Sequence, residues 1–313
     1  MKETLHSFRY SIVIPVYNSA SFVTKTVHKI IEETEKAHLV AEIILVNDGS
    51  SDGSWDVIKG LARELPNVKS INLIKNFGQH SAILCGFEHA SGLYVITMDD
   101  DLQNPPSEIV KLTNTIEKSE FDLVFGKFTE KKHANYRKLG SKVIGYLNRK
   151  IFNKPDHIVL SNFRIIHRDV IDRLLSHKTA YPYIPGLLLL YATNIGNVEV
   201  EHHERIEGKS NYTFKRIVSL VSRLLINYSS YPLRLLSMIG LIISGASFFL
   251  GVVYLILGLF GYVNVPGWTT MVVLTSFLGG FIIAMLGLIG EYLSRILDQL
   301  SSERSYYVRE IVE

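Results

Sequence analysis

Along the N-terminal two thirds of the chain, apolar positions follow two alternating rhythms. Short, nearly continuous runs rich in β-branched residues occur at Tyr10–Val16, Glu42–Asn47, Val68–Lys75, Leu93–Met98 and Asp122–Lys127. Between them, over Ser21–Ala37, Ser54–Leu65, Gln79–Ala90 and Pro106–Lys118, apolar residues recur at helical spacing. Runs of the first kind suit strands covered on both faces; the second period is that of a helix with one apolar stripe. Their alternation predicts an α/β fold, a mostly parallel sheet with flanking helices. Such sheets bind ligands beyond the carboxyl ends of their strands.

The rhythm stops near the C-terminal end. From Leu235 to Gly290 there is no Asp, Glu, Lys, Arg or His. Asn264 and Pro266, within Gly261–Gly267, mark a turn, and Leu235–Phe260 and Trp268–Gly290 lie on either side. Each exceeds the ~20 residues a helix needs to cross ~30 Å of hydrocarbon, and two buried soluble helices would seldom avoid every charge for so long. Two transmembrane helices are expected. Arg216, Arg223 and Arg234 precede the first span, Arg295, Arg304 and Arg309 follow the second, and the connecting loop is uncharged. The positive-inside rule puts both termini in the cytoplasm. Met1–Tyr10 has no apolar core of signal-peptide length, so residues 1–230 are expected on the cytoplasmic side.

Composition agrees with this division. Hydrophobic residues make up 47% of the 313 and mean hydropathy is +0.17, while charged residues are only 20%. Lys+Arg (33) and Asp+Glu (30) leave a formal charge of +3, too even for a surface built to grip nucleic acid. Cys85 is the single cysteine, which excludes an intramolecular disulfide and a Cys-based zinc cluster.

The strand ends are acidic. Asn47-Asp48-Gly49-Ser50 follows the second run and Asp99-Asp100-Asp101-Leu102-Gln103 the fourth. No GxGxxG follows a strand and no GxxxxGK[ST] occurs, so the dinucleotide fingerprint and the P-loop are both absent. Three adjacent carboxylates repel one another unless a cation neutralises them, and hard oxygens suit Mg²⁺ or Mn²⁺. The same acids would also sit well at a helix N-terminus, which Pro105-Pro106 opens. Asp48-Gly-Ser-Ser-Asp52-Gly likewise reads as a ligand loop or as a plain turn before the next helix. Both pairs of readings stand at this level.

Residues 127–154 hold nine Lys/Arg and one acid, and Leu139, Val143, Leu147 and Ile151 recur every four positions. A helix with an apolar stripe ringed by Lys138, Lys142, Arg149 and Lys150 fits a membrane surface, and also an ordinary solvated helix. Phe214–Ile226 is a second candidate surface helix leading into the first span.

The motifs Ile14-Pro15-Val16-Tyr17-Asn18, Val46-Asn47-Asp48-Gly49-Ser50, Asn76-Phe77-Gly78 and Met98-Asp99-Asp100-Asp101-Leu102-Gln103-Asn104-Pro105-Pro106 resemble, in order and spacing, those of the family 2 inverting glycosyltransferases of GT-A fold. The closer resemblance is to the polyprenyl-phosphate transferases: dolichol-phosphate mannose synthase, bactoprenol glucosyltransferase and undecaprenyl-phosphate formamido-arabinose transferase. It covers the chain from about Tyr10 to Arg309.

That resemblance implies one sugar moved from a nucleotide-sugar, a UDP-sugar being expected, to polyprenyl (undecaprenyl) phosphate at the cytoplasmic face of the cell inner (plasma) membrane. Pro15, Tyr17, Asn18 and Asp48 would hold the nucleobase and ribose. Asp99 and Asp101 match the DxD pair that holds Mg²⁺ or Mn²⁺ on the donor diphosphate, with Asp100 and Gln103 beside them. Arg205 and Lys209 match a basic loop that closes on that diphosphate. Arg137 and Ser141, one helical turn apart, match the acceptor-phosphate pair, with Lys127 as a third contact. Asp101, Arg137, Ser141 and Asn162 form the implied catalytic set.

Two positions depart from the pattern: Asn162 stands where many relatives carry Asp, and Ser19 where they often carry Glu. A phosphate monoester is largely a dianion at pH 7, its second pKa being ~6, so strong general-base help is less necessary than for a sugar hydroxyl. The implied organisation is a GT-A catalytic domain over residues 1–212, an amphipathic interface segment over 213–234, two transmembrane helices over 235–290 and a cytoplasmic tail over 291–313. Gly279-Gly280 and Gly245-Ala246-Ser247 offer small-residue faces for helix packing, within one chain or in a homo-oligomer.

Two other functions compete. Processive polysaccharide synthases of the same superfamily carry QxxRW, but neither Trp55 nor Trp268 follows Gln-x-x-Arg. A non-catalytic membrane-anchored nucleotide-sugar-binding protein is suggested by Asn162 and Ser19 and opposed by the intact DxD.

Overall fold

The computed structural model describes residues 8–128, 135–177, 179, 181–201, 214–229, 231–260, 267–301 and 305–313. It opens on β1 (Tyr10–Val16), whose seven residues are all buried, as a continuous apolar run at the centre of a parallel sheet should be. Then come α1 (Val23–Lys36), β2 (Ala41–Asn47), α2 (Ser54–Glu64), β3 (Val68–Leu73), α3 (Gln79–His89) and β4 (Tyr94–Thr97). A 3-10 turn at Pro106–Glu108 leads into α4 (Ile109–Glu117), followed by β5 (Leu123–Phe128) and α5 (Asn135–Phe152). All five expected strands and four expected helices are present. The helices lie on the sheet by their periodic residues: α1 buries Val23, Thr26, Val27, Ile30 and Thr34, and its Val23, Val27 and Ile30 join Ile12, Ile14, Ile43, Leu45 and Ile96 in one core.

Three strands were not legible as strands: β6 (Arg164–His167), β7 (Ile195–Val200) and β8 (Val308–Val312). β6 has four residues and opens on an arginine; β7 is half-exposed; β8 is an edge strand with two adjacent charged residues, Arg309 and Glu310, and no buried position. Between β6 and β7 lie α6 (Arg168–Leu175) and α7 (Ile184–Tyr191). The sheet order is β7-β5-β6-β4-β1-β2-β3-β8. The central block β4-β1-β2-β3 is parallel, but β6 runs antiparallel to both β4 and β5, and β8 antiparallel to β3. The sheet is therefore mixed rather than mostly parallel throughout. Only its central block has the strand–helix–strand crossovers that the sequence displays.

The chain divides into two compact units, residues 1–213 with 302–313, and Phe214–Ser301. The segment assigned from sequence to a tail thus contributes β8 to the sheet of the first unit. The second unit is helical: α8 (Phe214–Tyr228), α9 (Tyr231–Leu259) and α10 (Trp268–Ser301). Gly240 of α9 leaves room for Met285 of α10, which a Cβ would meet at 3.5 Å, and the Tyr292 hydroxyl donates to the Ser229 carbonyl at 3.1 Å. Many large apolar side chains of this unit point outward, among them Phe249, Phe277 and Ile283. Among the described residues one window, Phe277–Ser294, is both long and apolar enough to cross a membrane. Residues 261–266, where the turn between spans is expected, lie outside the described residues.

Candidate active site

The parallel strands β1, β2, β3 and β4 end on one edge of the sheet, and the loops that follow them carry the sequence motifs. Asp48 leaves β2 buried, at 3% exposure. Its carboxylate accepts the Phe77 amide at 2.7 Å and the Gly78 amide at 3.0 Å, so it pins the loop after β3. Burial pushes this acid up to about 6, against the downward pull of those two amides. Gly49 makes the approach of the loops possible: at φ +64° it lies so close to the neighbouring backbone that a Cβ would stand 2.4 Å from the Asn76 nitrogen.

The β1 loop is held from the same side. Asn18, at φ 54°, accepts the Ser51 amide at 2.9 Å and donates its own amide to Ser50 Oγ at 3.0 Å. Asp52 accepts the Ala20 amide at 3.1 Å. Of the residues expected to hold a nucleobase, Tyr17 and Asn18 are exposed, whereas Pro15 is buried within β1 opposite Val46.

The three consecutive acids after β4 have different surroundings. Asp99 accepts Gln79 Nε2 at 2.7 Å and a side-chain hydrogen bond from Asn162. Asp100 is tied to the Ser19 hydroxyl, and its backbone carbonyl accepts Thr26 Oγ1 at 2.6 Å. Asp101 accepts the Gln103 amide at 3.1 Å in a turn that places Leu102 at φ 57°. Burial, then the charge of Asp101, pushes Asp99 upward. Asp100 rises to about 7, again mainly by burial. The guanidinium of Arg164 lies fully buried near Asp99, and burial draws it down to about 10. Its Nε and Nη2 have no hydrogen-bond partner among the described residues.

This donor set suits a hard divalent cation shared with a ligand. Mg²⁺ and Mn²⁺ commonly take one or two carboxylates and complete their shell with phosphate oxygens and water. Among the described residues no group of three or more His, Cys, Asp and Glu side chains converges into a self-sufficient metal centre. Asp99 and Asp101 would therefore hold a cation together with a bound phosphate.

Three residues escaped the sequence reading as site residues. Ser19 appeared only as a departure, yet it holds Asp100. Gln79 carried no signal, and Arg164 only that of a lone charge opening the apolar run Arg164–Ile166. Phe77 and Gly78 stood in a motif, but the hydrogen bonds of their backbone amides to Asp48 were not legible there. Asn162, placed by the resemblance in the catalytic set, donates a side-chain hydrogen bond to Asp99.

The basic helix is partly a core helix. Leu147 and Phe152 of α5 are buried, with the Phe152 ring 5.6 Å from that of Tyr183, whereas Val143 and Tyr146 are exposed. Arg149 pairs with Asp156 at 2.7 Å, and Lys127 with Glu199 at 3.2 Å, both in exposed positions. Arg137 and Ser141 fall on α5, but their side chains lie outside the described ones; Arg205 and Lys209 lie outside the described residues altogether.

The sequence model of the family described as Glycosyl transferase family 2 matches residues 11–175. An undecaprenyl-phosphate 4-deoxy-4-formamido-L-arabinose transferase of Proteus mirabilis (strain HI4320) is 35% identical over 308 residues, 97% of this chain and 94% of that one. The protein so named in Salmonella choleraesuis (strain SC-B67) is 33% identical over 311 residues, with the same coverage. Among solved structures, glucosyl-3-phosphoglycerate synthase from Mycobacterium tuberculosis, in complex with Mn²⁺, UDP and phosphoglyceric acid, superposes with a TM-score of 0.50 at 16% identity, covering 70% of this chain and 77% of that one.

Proposed function

Because the chain belongs to glycosyl transferase family 2 and is therefore a glycosyltransferase, we propose that it moves a single sugar from a nucleotide-sugar to undecaprenyl phosphate at the cytoplasmic face of the membrane, with inversion at the anomeric carbon. The observation that carries this reading is the reach of the likeness. The family model stops at residue 175, whereas the polyprenyl-phosphate transferases align through 97% of the chain, long helices included.

Chain topology supports two spans. The chain leaves the sheet-bearing unit before α8 and rejoins that sheet through β8, paired with β3. A soluble sheet cannot lie on both sides of a bilayer, so the crossings between must be even in number. If α10 crosses at Phe277–Ser294, α9 crosses as well; its 29 residues extend about 44 Å at ~1.5 Å per residue, enough for the hydrocarbon. With Arg residues flanking both outer ends, both termini fall in the cytoplasm. The organisation is then a catalytic unit, an amphipathic α8 at the interface and a helical hairpin.

In the reaction, Asp48 and the Tyr17–Asn18 loop hold the base and ribose, and Asp99 and Asp101 would hold Mg²⁺ or Mn²⁺ at the diphosphate end of the donor. When bound, the cation supplies neutralisation of the leaving diphosphate, worth several kcal/mol at the transition state. Arg205 and Lys209 add positive charge from their loop. Arg137 and Ser141, with Lys127, hold the acceptor phosphate opposite the leaving group. An acceptor oxygen forms a bond to the anomeric carbon as the bond to the diphosphate breaks. The acceptor arrives largely as a dianion, so Asn162 need take no proton; it steadies Asp99.

The test is direct. Purified full-length protein is incubated with Mg²⁺ or Mn²⁺, undecaprenyl phosphate and a panel of radiolabelled nucleotide-sugars, and lipid is extracted. One donor should deliver label to the organic phase as a mono-glycosylated lipid. No label from any donor would remove the enzyme reading, and a polymeric product would point to processive synthesis.

A pH dependence follows from Asp48. With its pKa at about 6, Asp48 is a carboxylate at neutral pH and a neutral acid as pH falls below that value. The neutral form accepts more weakly from the Phe77 and Gly78 amides and from a nucleobase N–H. Affinity for the nucleotide-sugar should therefore fall as pH drops through about 6, approaching tenfold per pH unit. Titration calorimetry on wild type and Asp48→Asn checks this, because the variant should lose the Asp48 component and bind weakly across the range.

A further inference from the structure

β8 delivers two neighbouring aromatic side chains to the ligand edge of the sheet. It runs antiparallel to β3, with Val308 opposite Leu73, so the residues just before it lie beside the loop that follows β3. The Ile74 amide donates to the Tyr307 carbonyl at 3.0 Å, and Arg309 Nη2 donates to the Ile74 carbonyl at 3.3 Å. Successive side chains of an extended segment point to opposite faces, and the two tyrosines do so. Tyr306 is turned inward at 4% exposure, its hydroxyl donating to Glu88 of α3. Tyr307 is turned outward at 52% exposure, yet its ring lies 6.3 Å from that of Phe77, tilted by 49°.

Phe77 is the residue whose amide donates to Asp48. Lys75 also stands over this ring, its Nζ 5.3 Å from the ring centre. An exposed tyrosine beside a half-buried phenylalanine, whose amide donates to the acid at the end of β2, offers an aromatic surface on which a flat heterocycle can stack. Buried Tyr306 fixes where that surface stands.

We propose that Tyr307 is a positioning residue of the donor site: by packing on Phe77 it fixes the loop that holds Asp48 and completes the nucleobase end of the pocket. This rests on the reading of the site as one for a nucleotide-sugar. In sequence, Tyr307 follows the end of α10 at Ser301 by six positions.

The experiment measures UDP and GDP binding to the full-length protein by titration calorimetry, together with donor and acceptor KM and kcat. Tyr307→Ala should weaken the nucleoside diphosphate that wild type binds by about tenfold, the scale of one lost base or aromatic stacking contact. Donor KM should rise with it, while acceptor KM and kcat stay within about twofold. Tyr307→Phe should restore binding, since the ring and not the hydroxyl makes the contact. Glu310→Ala, which removes the ion pair to Lys59 further along β8, controls for loosening of the strand and should bind as wild type does. Unchanged binding in Tyr307→Ala overturns the proposal, and so does equal weakening in Glu310→Ala. If wild type binds neither diphosphate, the donor reading itself fails, which is a distinct result.

Discussion

Asp101→Asn should lower kcat by about a thousandfold and leave the protein as stable as before or more so. The loss is the scale expected when a charge that helps hold the departing diphosphate is removed from a preorganised site. The fold should not suffer, because the hydrogen bond that the Gln103 amide donates to the Asp101 carboxylate can be accepted equally by an asparagine oxygen. Removing the charge also relieves two neighbours: the Asp101 charge contributes to the upward displacement of both Asp99 and Asp100. An acid displaced upward in the folded state costs stability when ionised. That cost is absent below its ordinary value near ~4 and complete above its folded value, which for Asp100 is about 7. The gain from Asp101→Asn should therefore appear as pH rises from about 4 to 7. Thermal melts across that range, beside lipid-extraction assays, check both halves. Near-normal turnover in the variant would end the role of this acid in holding the diphosphate.

Gly49→Ala should be the most damaging single methyl in the catalytic unit, costing about 3–5 kcal/mol and abolishing donor binding. Two effects add. At φ +64° a Cβ costs about 1–2 kcal/mol in a left-handed conformation. The same Cβ would stand 2.4 Å from the Asn76 nitrogen and 2.5 Å from the Lys75 carbonyl carbon, and backbone cannot yield as a flexible side chain can. The loop after β3 must retreat, and the Phe77 and Gly78 amides retreat with it from Asp48. Gly53→Ala separates the two effects: its φ is +85° but nothing lies within 4 Å of its Cβ position, so strain acts alone and the cost should be about 1 kcal/mol. Thermal melts of both variants in detergent make the comparison. Equal midpoints would show that the contact between the two loops is not as close as 2.4 Å implies.

The parallel block of the sheet was legible because its strands are continuous apolar runs separated by helices of clear period, a pattern set by neighbours along the chain. The strands beyond it were not. β6 and β8 pair antiparallel with partners distant in sequence, and a strand such as Val-Arg-Glu-Ile-Val looks like any half-exposed segment until it has a neighbour. The helix around Leu147 shows the same limit: its stripe was visible, but whether a stripe faces lipid or protein depends on what lies opposite, and Phe152 proves to lie against Tyr183. The acids fall between. Asp48 and Asp99–Asp101 stood out as charges at strand ends, whereas the inward turn of Asp100 onto Ser19 and the support of Asp99 by Gln79 and Asn162 belong to loops distant in sequence.

By itself, then, the sequence determined which segments must be buried in water-free surroundings, which must be strands or helices, and where unbalanced charge would collect. These are properties of local period and composition, and they hold whatever the partners. The tertiary structure alone decided strand direction, which face of a helix is covered, and that the chain returning from the long helices lands beside the loop that pins Asp48. Those depend on hydrogen bonds and packing between residues from about thirty to more than two hundred positions apart, and no local pattern encodes a distance of that kind.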